Sequence, residues 1–263
     1  MKIATWNING IKARHTNLIL WLTQAAPDIV CLQEIKSVDE SFPRDEIESL
    51  GYNLETHGQK GFNGVALLSK LPFDEVNRGL PDVEGDSSDD QARFIEGVFT
   101  VGDKPLRVAS LYLPNGNPVD TEKFTYKLAW MRRLEAWAIE RLGLEEPLIL
   151  AGDYNVIPMP EDCHDPKVWQ GDALFKPESR LAFRRLLNLG FSEALRSADD
   201  GEKIYTFWDY QAGAWQKNNG IRIDHLLLSP EAANGLKNVE IDKHTRQWEK
   251  PSDHVPVWVE YGG

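Results

Sequence analysis

Short apolar runs recur along the chain, separated by polar segments rich in turn residues. Ile3–Trp6, Ile29–Leu32, Gly64–Ser69, Arg93–Val101, Leu106–Leu113, Pro147–Ala151, Arg222–Leu228 and Val255–Tyr261 have the length and composition of buried strands. Helical spacing appears between them. From Thr121 onward Phe124, Leu128, Met131, Leu134 and Ala138 recur at steps of four and three, and Gly143 supplies a stop. A second helix is predicted from Pro177 to Asn188, ending before Gly190. Strands in groups of two or three, interrupted by helices, predict an α+β protein: sheets in layers, not a strictly alternating parallel sheet. No linker or fixed-period repeat divides the chain, so one domain over residues 1–263 is expected. The biased stretch Asp82–Asp90, DVEGDSSDD, reads as an acidic solvated loop.

Composition narrows the function. Of 263 residues, 41% are hydrophobic and 27% charged, enough apolar material for a large core. Lys and Arg number 29 against 41 Asp and Glu, a net charge of −12. That balance argues against non-specific adhesion to nucleic acid or anionic membrane, but permits a local basic groove or a metal site. Two cysteines make no disulfide framework and point to a reducing compartment. The opening residues carry no apolar leader, and Leu18–Leu22 is far too short to span a bilayer. A soluble, cytoplasmic protein with no membrane partner is expected.

Many of the predicted strands end or begin at strongly polar groups. Ile3–Trp6 runs into Asn7 and Asn9, and Ile29–Leu32 into Gln33 and Glu34. Leu106–Leu113 carries Tyr112 and precedes Asn115, while Pro147–Ala151 runs into Asp153 and Asn155. Asp224 follows Arg222-Ile223, and Asp253-His254 precedes the last strand. Such groups can converge on one rim of a layered sheet. A lone Asp beside an apolar run is more often a hydrogen-bonded structural acid. Glu34, Asp153, Asp224 and Asp253 together, with Asn7 and Asn155, instead suggest an oxygen site for a hard cation, Mg²⁺ or Mn²⁺. Zinc does not fit, because Cys31 lies in an apolar run and Cys163-His164 has no spaced partners. His254 is either a structural histidine or a functional one oriented by Asp224. Ser-His-Asp acyl chemistry lacks a nucleophile, since no serine sits in a G-x-S-x-G elbow. Gly58-Gln59-Lys60-Gly61 is too short for a nucleotide-binding P-loop. The run Tyr205-Thr206-Phe207-Trp208-Asp209-Tyr210 is either core or a stacking surface for an unstacked nucleotide.

These motifs, in order, resemble the exonuclease III family of apurinic/apyrimidinic endonucleases, within the endonuclease/exonuclease/phosphatase superfamily. The resemblance spans the chain: TWNING, Cys31–Lys36, Gly58–Gly61 with Gly64–Leu68, Tyr112–Gly116, Gly152–Asn155, Tyr205–Tyr210, Arg222–Asp224 and Lys250–Pro256. It implies a four-layer α/β-sandwich and Mg²⁺-dependent hydrolysis of duplex DNA 5′ to abasic sites, with removal of 3′ blocking groups or nucleotides. It implies Glu34 as principal metal ligand with Asn7 and Asp253 nearby. Asp153 would handle the attacking water or leaving oxygen, with Asn155 orienting it. His254, paired with Asp224, and Tyr112 would contact the scissile phosphate, and Asn115 would hold the backbone. Phe207, Ile221 and Ile223 match pocket positions, with Trp208 beside them. Lys12, Arg14, Lys36, Lys60 and Arg222 are candidate phosphate contacts. Three departures leave the balance of endonuclease and exonuclease activity open: Phe207 and Trp208 are exchanged relative to well-known bacterial members, Ile221 replaces an aromatic of animal members, and Asn9 replaces their acidic residue. Two rival readings are a non-catalytic binding relative and an enzyme on a phosphoinositide or sphingomyelin. The complete set Glu34, Asp153, Asn155, Asp224 and His254 opposes the first, and Y-x-PNG with the aromatic segment opposes the second. A monomer is expected.

Overall fold

The computed structural model describes residues 1–83, 89–199 and 201–262, so the acidic segment Asp82–Asp90 lies partly outside the described residues. The strands are β1 (Lys2–Asn7), β2 (Ile29–Gln33), β3 (Asn53–His57), β4 (Val65–Ser69), β5 (Glu75–Arg78), β6 (Phe94–Val101), β7 (Lys104–Tyr112), β8 (Leu148–Asp153), β9 (Ser192–Glu193), β10 (Asp224–Leu228), β11 (Leu236–Ile241) and β12 (Val257–Tyr261). The helices are α1 (Ile11–Ala25), α2 (Asp45–Ser49), α3 (Glu122–Leu142), α4 (Pro166–Trp169), α5 (Pro177–Asn188), α6 (Ala194–Ala198) and α7 (Pro230–Ala233). The strands form two six-stranded sheets, ordered β11-β12-β1-β2-β4-β3 and β5-β6-β7-β8-β10-β9. Each sheet mixes parallel and antiparallel pairs; β1–β2 and β7–β8 are the parallel ones.

Side-chain alternation along each strand assigns the layers. Ile3, Ile29, Cys31, Val65 and Leu67 of the first sheet face Ile95, Val108, Ile149, Ala151 and Leu226 of the second in one shared core. The intervening residues face outward: Ala4, Trp6, Val30, Leu32 and Ala66 pack on Leu18, Trp21 and Leu22 of α1. On the other side Phe94, Ala109, Leu111 and Leu150 pack on Trp130, Met131, Leu134 and Trp137 of α3 and Phe183 and Leu186 of α5. The product is a helix–sheet–sheet–helix sandwich, as the resemblance implied. Each Val, Leu, Ile, Phe or Met side chain so removed from water stabilises the fold by roughly 1.5–3 kcal/mol. No helix among the described residues is long and apolar enough to cross a membrane.

The two predicted helices form as expected, with the Thr121 hydroxyl capping α3 through Lys123 N–H. β8 runs two residues beyond its predicted end, to Asp153, whereas β10 begins at Asp224 and β12 at Val257. Sequence periodicity missed α1 and the strands β3, β5, β9 and β11. Those four strands are the sheet edges, where charged and polar side chains are favoured and apolar alternation is lost.

Candidate active site

Sheet register gathers the polar strand ends on one rim. Tyr112 and Asp224 both pair with Asp153, from β7 and β10 respectively, and Asn7 pairs with Gln33, one residue before Glu34. β8 can lie this close to β7 because residue 152 is glycine; a Cβ there would run into the Leu111 carbonyl. Just inside the rim, Gln33 Nε2 donates to Ser110 Oγ at 3.0 Å and ties the sheets together. At the rim itself the backbone is held in the left-handed region at four non-glycine residues: Asn9 (φ 47°), Glu34 (φ 50°), Lys36 (φ 51°) and Asn155 (φ 46°). Such conformations persist where surrounding hydrogen bonds over-determine them, and they cluster at functional sites. Here Gly10 N–H donates to the Glu34 carbonyl at 2.7 Å and Lys36 N–H to that of Asn63 at 2.9 Å.

The rim brings Glu34, Asp153 and His254 together, with one ligand atom from each within 4.8 Å of the others. Asn7 Nδ2 donates to Glu34 Oε1 and to Asp153 Oδ2, each at 2.9 Å. Lys36 Nζ lies 2.8 Å from Glu34 Oε2. Burial alone would raise the Glu34 carboxyl, but Lys36 and Asn7 hold it below the usual range. Asp153 is fully buried, and burial foremost, with Asp224 adding repulsion, pushes its carboxyl upward despite the opposing charge of His254. Tyr112 sits beside both acids; burial and then Glu34 and Asp153 raise it well above its ordinary value, so it remains a phenol.

His254 is buried and held through its Nδ1 side. Its Nδ1 lies 2.9 and 3.1 Å from the two oxygens of Asp224, and its Nε2 lies 3.8 Å from Asp153 Oδ2. Burial opposes the ring's charge, but Asp224 first, then Asp153 and Asp253, push its pKa up to about 10. A ring held in that charged form does not ligate a cation, so hard-cation ligation falls to the oxygens of Glu34 and Asp153. Asp224 is itself fastened by Thr206, whose hydroxyl donates to Oδ2 at 2.6 Å while its oxygen accepts from Ile223 and Asp224 N–H. Trp6 Nε1 donates to the His254 carbonyl at 3.1 Å, and the Phe207 ring meets the imidazole edge-on at 4.9 Å.

The Endonuclease/Exonuclease/phosphatase family profile matches residues 4–254. The chain belongs to this family. It is 35% identical over 269 residues to the exodeoxyribonuclease III of Haemophilus influenzae, covering 99% of this chain and all of that protein. It is 32% identical to the DNA repair nuclease APEX1 of Danio rerio, covering 98% of this chain and 81% of that one. Among solved structures, an AP endonuclease from Archaeoglobus fulgidus superposes with a TM-score of 0.92 at 35% identity, and the 3'-5' exonuclease NExo from Neisseria meningitidis with 0.93 at 36%. Both alignments cover the whole of each chain. Membership of this family of metal-dependent nucleases agrees with the paired carboxylates at the rim.

Several expected site residues take other places in this member of the family. Arg222 is a structural ion, not a phosphate contact. It is 1% exposed, with Nε 2.8 Å from Asp162 Oδ1 and Nη1 3.0 Å from Glu193 Oε2. Trp208 is fully buried against Trp215, its indole N–H donating to Asn218, so it offers no stacking face. Ile221 and Ile223 are also buried; they back Phe207, which alone of the three pocket positions is partly exposed. Asn7 presents its amide donors to the acids while its oxygen accepts from Asn9 N–H. Asp253 stands one residue further out, accepting from Asn9 Nδ2 at 2.9 Å. Asn155 is spanned by neighbours: Nδ2 donates to the Leu113 carbonyl, and Oδ1 accepts from Asn115 Nδ2 at 3.1 Å. Asn7, Asn155 and Asp253 thus border the Glu34–Asp153–His254 group through hydrogen bonds, Asn7 directly to both acids. Lys12 and Lys60 are exposed, whereas Arg14 is tied to Asn9 and Tyr210 and Lys36 to Glu34 and Asn9.

Sequence reasoning gave no role to Thr206, Ser252 or Lys127. Ser252 Oγ donates to the Asn7 carbonyl at 2.7 Å and accepts from His254 N–H, joining β1 to the histidine turn. The signals were present: Thr206 is the one aliphatic hydroxyl in the aromatic run, and Ser252 stands two residues before His254.

Proposed function

We propose that this chain is an Mg²⁺-dependent DNA repair nuclease, acting as one domain, that hydrolyses the phosphodiester 5′ to abasic sites in duplex DNA and removes 3′ blocking groups or nucleotides. The observation supporting this reading most strongly is the Glu34–Asp153–His254 triangle, with a charged imidazole on one side and a half-exposed aromatic, Phe207, against that ring. The donor set fits the ion: two facing carboxylates offer hard oxygen ligands without thiols. When bound on Glu34 and Asp153, Mg²⁺ or Mn²⁺ supplies positive charge to the phosphate oxygens.

The chain's own residues do the rest. His254 donates its Nε2–H to a non-bridging oxygen and offsets the charge that grows there, with Asp224 and Thr206 holding the ring. Asp153, oriented by the Asn155 N–H on its Oδ1, accepts the proton of the attacking water. Tyr112 remains protonated and donates to the phosphate or the departing oxygen. Asn115 and Asn155 brace the turn beside Asp153 and hold the sugar-phosphate backbone. Lys12 and Lys60 meet flanking phosphates, which gives local attraction despite the net charge of −12. An abasic deoxyribose loses little stacking when flipped out, and a shallow surface formed by Phe207 over Ile221 and Ile223 selects against a full base. On this reading the enzyme works as a monomer in the cytoplasm.

Three labelled duplexes test the proposal: one with an internal abasic analogue, one with a 3′-phosphate, and one with an intact 3′ end. Each is titrated with Mg²⁺ and Mn²⁺. Internal incision fastest of the three supports the main reading. Fast 3′ trimming with weak incision transfers the role to a 3′-phosphodiesterase or exonuclease. No cleavage of any duplex overturns it.

A further inference from the structure

Lys127, on the first turns of α3, is fully buried, an unusual place for an ammonium group. Its Nζ donates to the Asn115 carbonyl at 3.1 Å and to the Asn155 carbonyl at 2.5 Å. These two carbonyls belong to different loops, one leaving β7 and the other leaving β8. Their side chains meet at 3.1 Å, Asn115 Nδ2 to Asn155 Oδ1. The Asn155 N–H in turn donates to Asp153 Oδ1 at 2.9 Å, so the turn that Lys127 grips also orients the Asp153 carboxylate. The first loop is moulded onto the lysine stem: Gly116 adopts φ 89°, and a Cβ there would lie 2.6 Å from Lys127 Cδ. The helix supplying the lysine is itself anchored on the second sheet by Trp130, Met131, Leu134 and Trp137.

An apolar side chain of similar length would fill the same volume without burying a charge. What only the ammonium provides is a pair of strong donors to two loops at once. The geometry points to Lys127 as a positioning residue: it locks the Asn115 and Asn155 loops to α3 and thereby sets the Asn155–Asp153 turn for hydrolysis. This rests on the roles proposed above for Asp153 and Asn155. Lys127 touches no substrate; it acts through the turn.

The experiment is a double-mutant cycle on the full chain, measuring kcat and KM on the abasic-analogue duplex with Mg²⁺. The variants are Lys127→Met, Asn155→Ala and both together. Lys127→Met is expected to lower kcat by about 10–100-fold, the size of an ångström-scale misplacement, with KM within about twofold. In the Asn155→Ala background the same change is expected to cost less than about threefold. There the turn, though it keeps its carbonyl, has already lost its side-chain bonds to Leu113 and Asn115 and the residue suited to its left-handed backbone. Lys127→Gln, which keeps an amide donor on a shorter arm, is expected to recover part of the loss and carries the same comparison if the methionine variant does not fold. Multiplicative losses in the double variant, an effect on KM alone, or an unchanged kcat overturn the proposal. A normal rate for Asn155→Ala refutes the assigned role of that residue, and a slow Lys127→Met beside it shows that the lysine acts by another route.

Discussion

Replacing Asp224 with asparagine perturbs the site at one atom and has a calculable consequence. Asp224 receives the Thr206 hydroxyl at 2.6 Å and faces His254 Nδ1 at 2.9 and 3.1 Å, all buried. The Thr206 proton is committed to Asp224 because its oxygen already accepts from two backbone N–H groups. An asparagine oxygen would take that proton and turn its NH₂ toward the imidazole, forcing the neutral tautomer with its proton on Nε2. In the wild type the ring's pKa stands at about 10 against an ordinary 6.5, and at ~1.4 kcal/mol per pH unit several kcal/mol hold that proton. Losing a preorganised charge aimed at the phosphate is expected to lower kcat by roughly 10²–10³. The sign of the pH dependence follows. A ring whose folded pKa is raised stays charged through neutrality, so wild-type activity depends on it up to mildly alkaline pH. In Asp224→Asn the ring is already neutral at pH 7, so the alkaline fall should be lost and the remaining rate should rise only as pH drops below about 6.5. Stability measured in EDTA should show the same linkage: the pair's contribution is complete below about pH 6.5 and lost as pH approaches 10. Steady-state cleavage and urea unfolding from pH 6 to 9.5 provide the assay. An Asp224→Asn rate within threefold of wild type, with an unchanged pH profile, refutes the reasoning.

Arg222→Met should destabilise the fold by about 3–5 kcal/mol, because Asp162 and Glu193 lose a buried counter-ion; urea unfolding checks it, and the salt dependence of DNA affinity should not change. Glu193, which burial would raise, is held at about 2 chiefly by Arg222 and His225. Its contribution, on the order of 3 kcal/mol, is present above about pH 4.5 and is lost as pH falls toward 2; Glu193→Gln should flatten that acid limb of the urea midpoint. Phe207→Ala should enlarge the surface over Ile221 and Ile223 and reduce preference for abasic over intact nucleotides roughly tenfold, read as the ratio of kcat/KM on the two duplexes.

The central strands were legible because each buries both faces, giving apolar runs in which Ile3 faces one layer and Ala4 the next. The edge strands were not: Glu75–Arg78 and Asn53–His57 carry polar groups where a sheet meets water. α1 escaped notice because its inward stripe, Ile11, Leu18, Trp21 and Leu22, skips a turn at Arg14 and His15. At the site, polar strand ends identified Glu34, Asp153, Asp224 and His254: register pairs Asp153 with Asp224 in one sheet, and face-to-face packing of the sheets brings the ends of β2 and the turn before β12 to the same rim. Charge and aromaticity were poorer guides. Arg222 and Trp208 look like ligand contacts in one dimension, but one is consumed by Asp162 and Glu193 and the other by Trp215 and Asn218. Lys127 illustrates the converse, a lysine at an apolar position of α3 whose partners are backbone carbonyls and leave no mark in sequence.

The most direct test of the account is a single-turnover reaction on an end-labelled duplex carrying one abasic analogue, run with Mg²⁺, with EDTA, and with His254→Ala. The account predicts one cut, immediately 5′ to the lesion, abolished by EDTA and slowed by roughly 10²–10³ in the variant. Incision that persists in EDTA, or at the wild-type rate without His254, contradicts it.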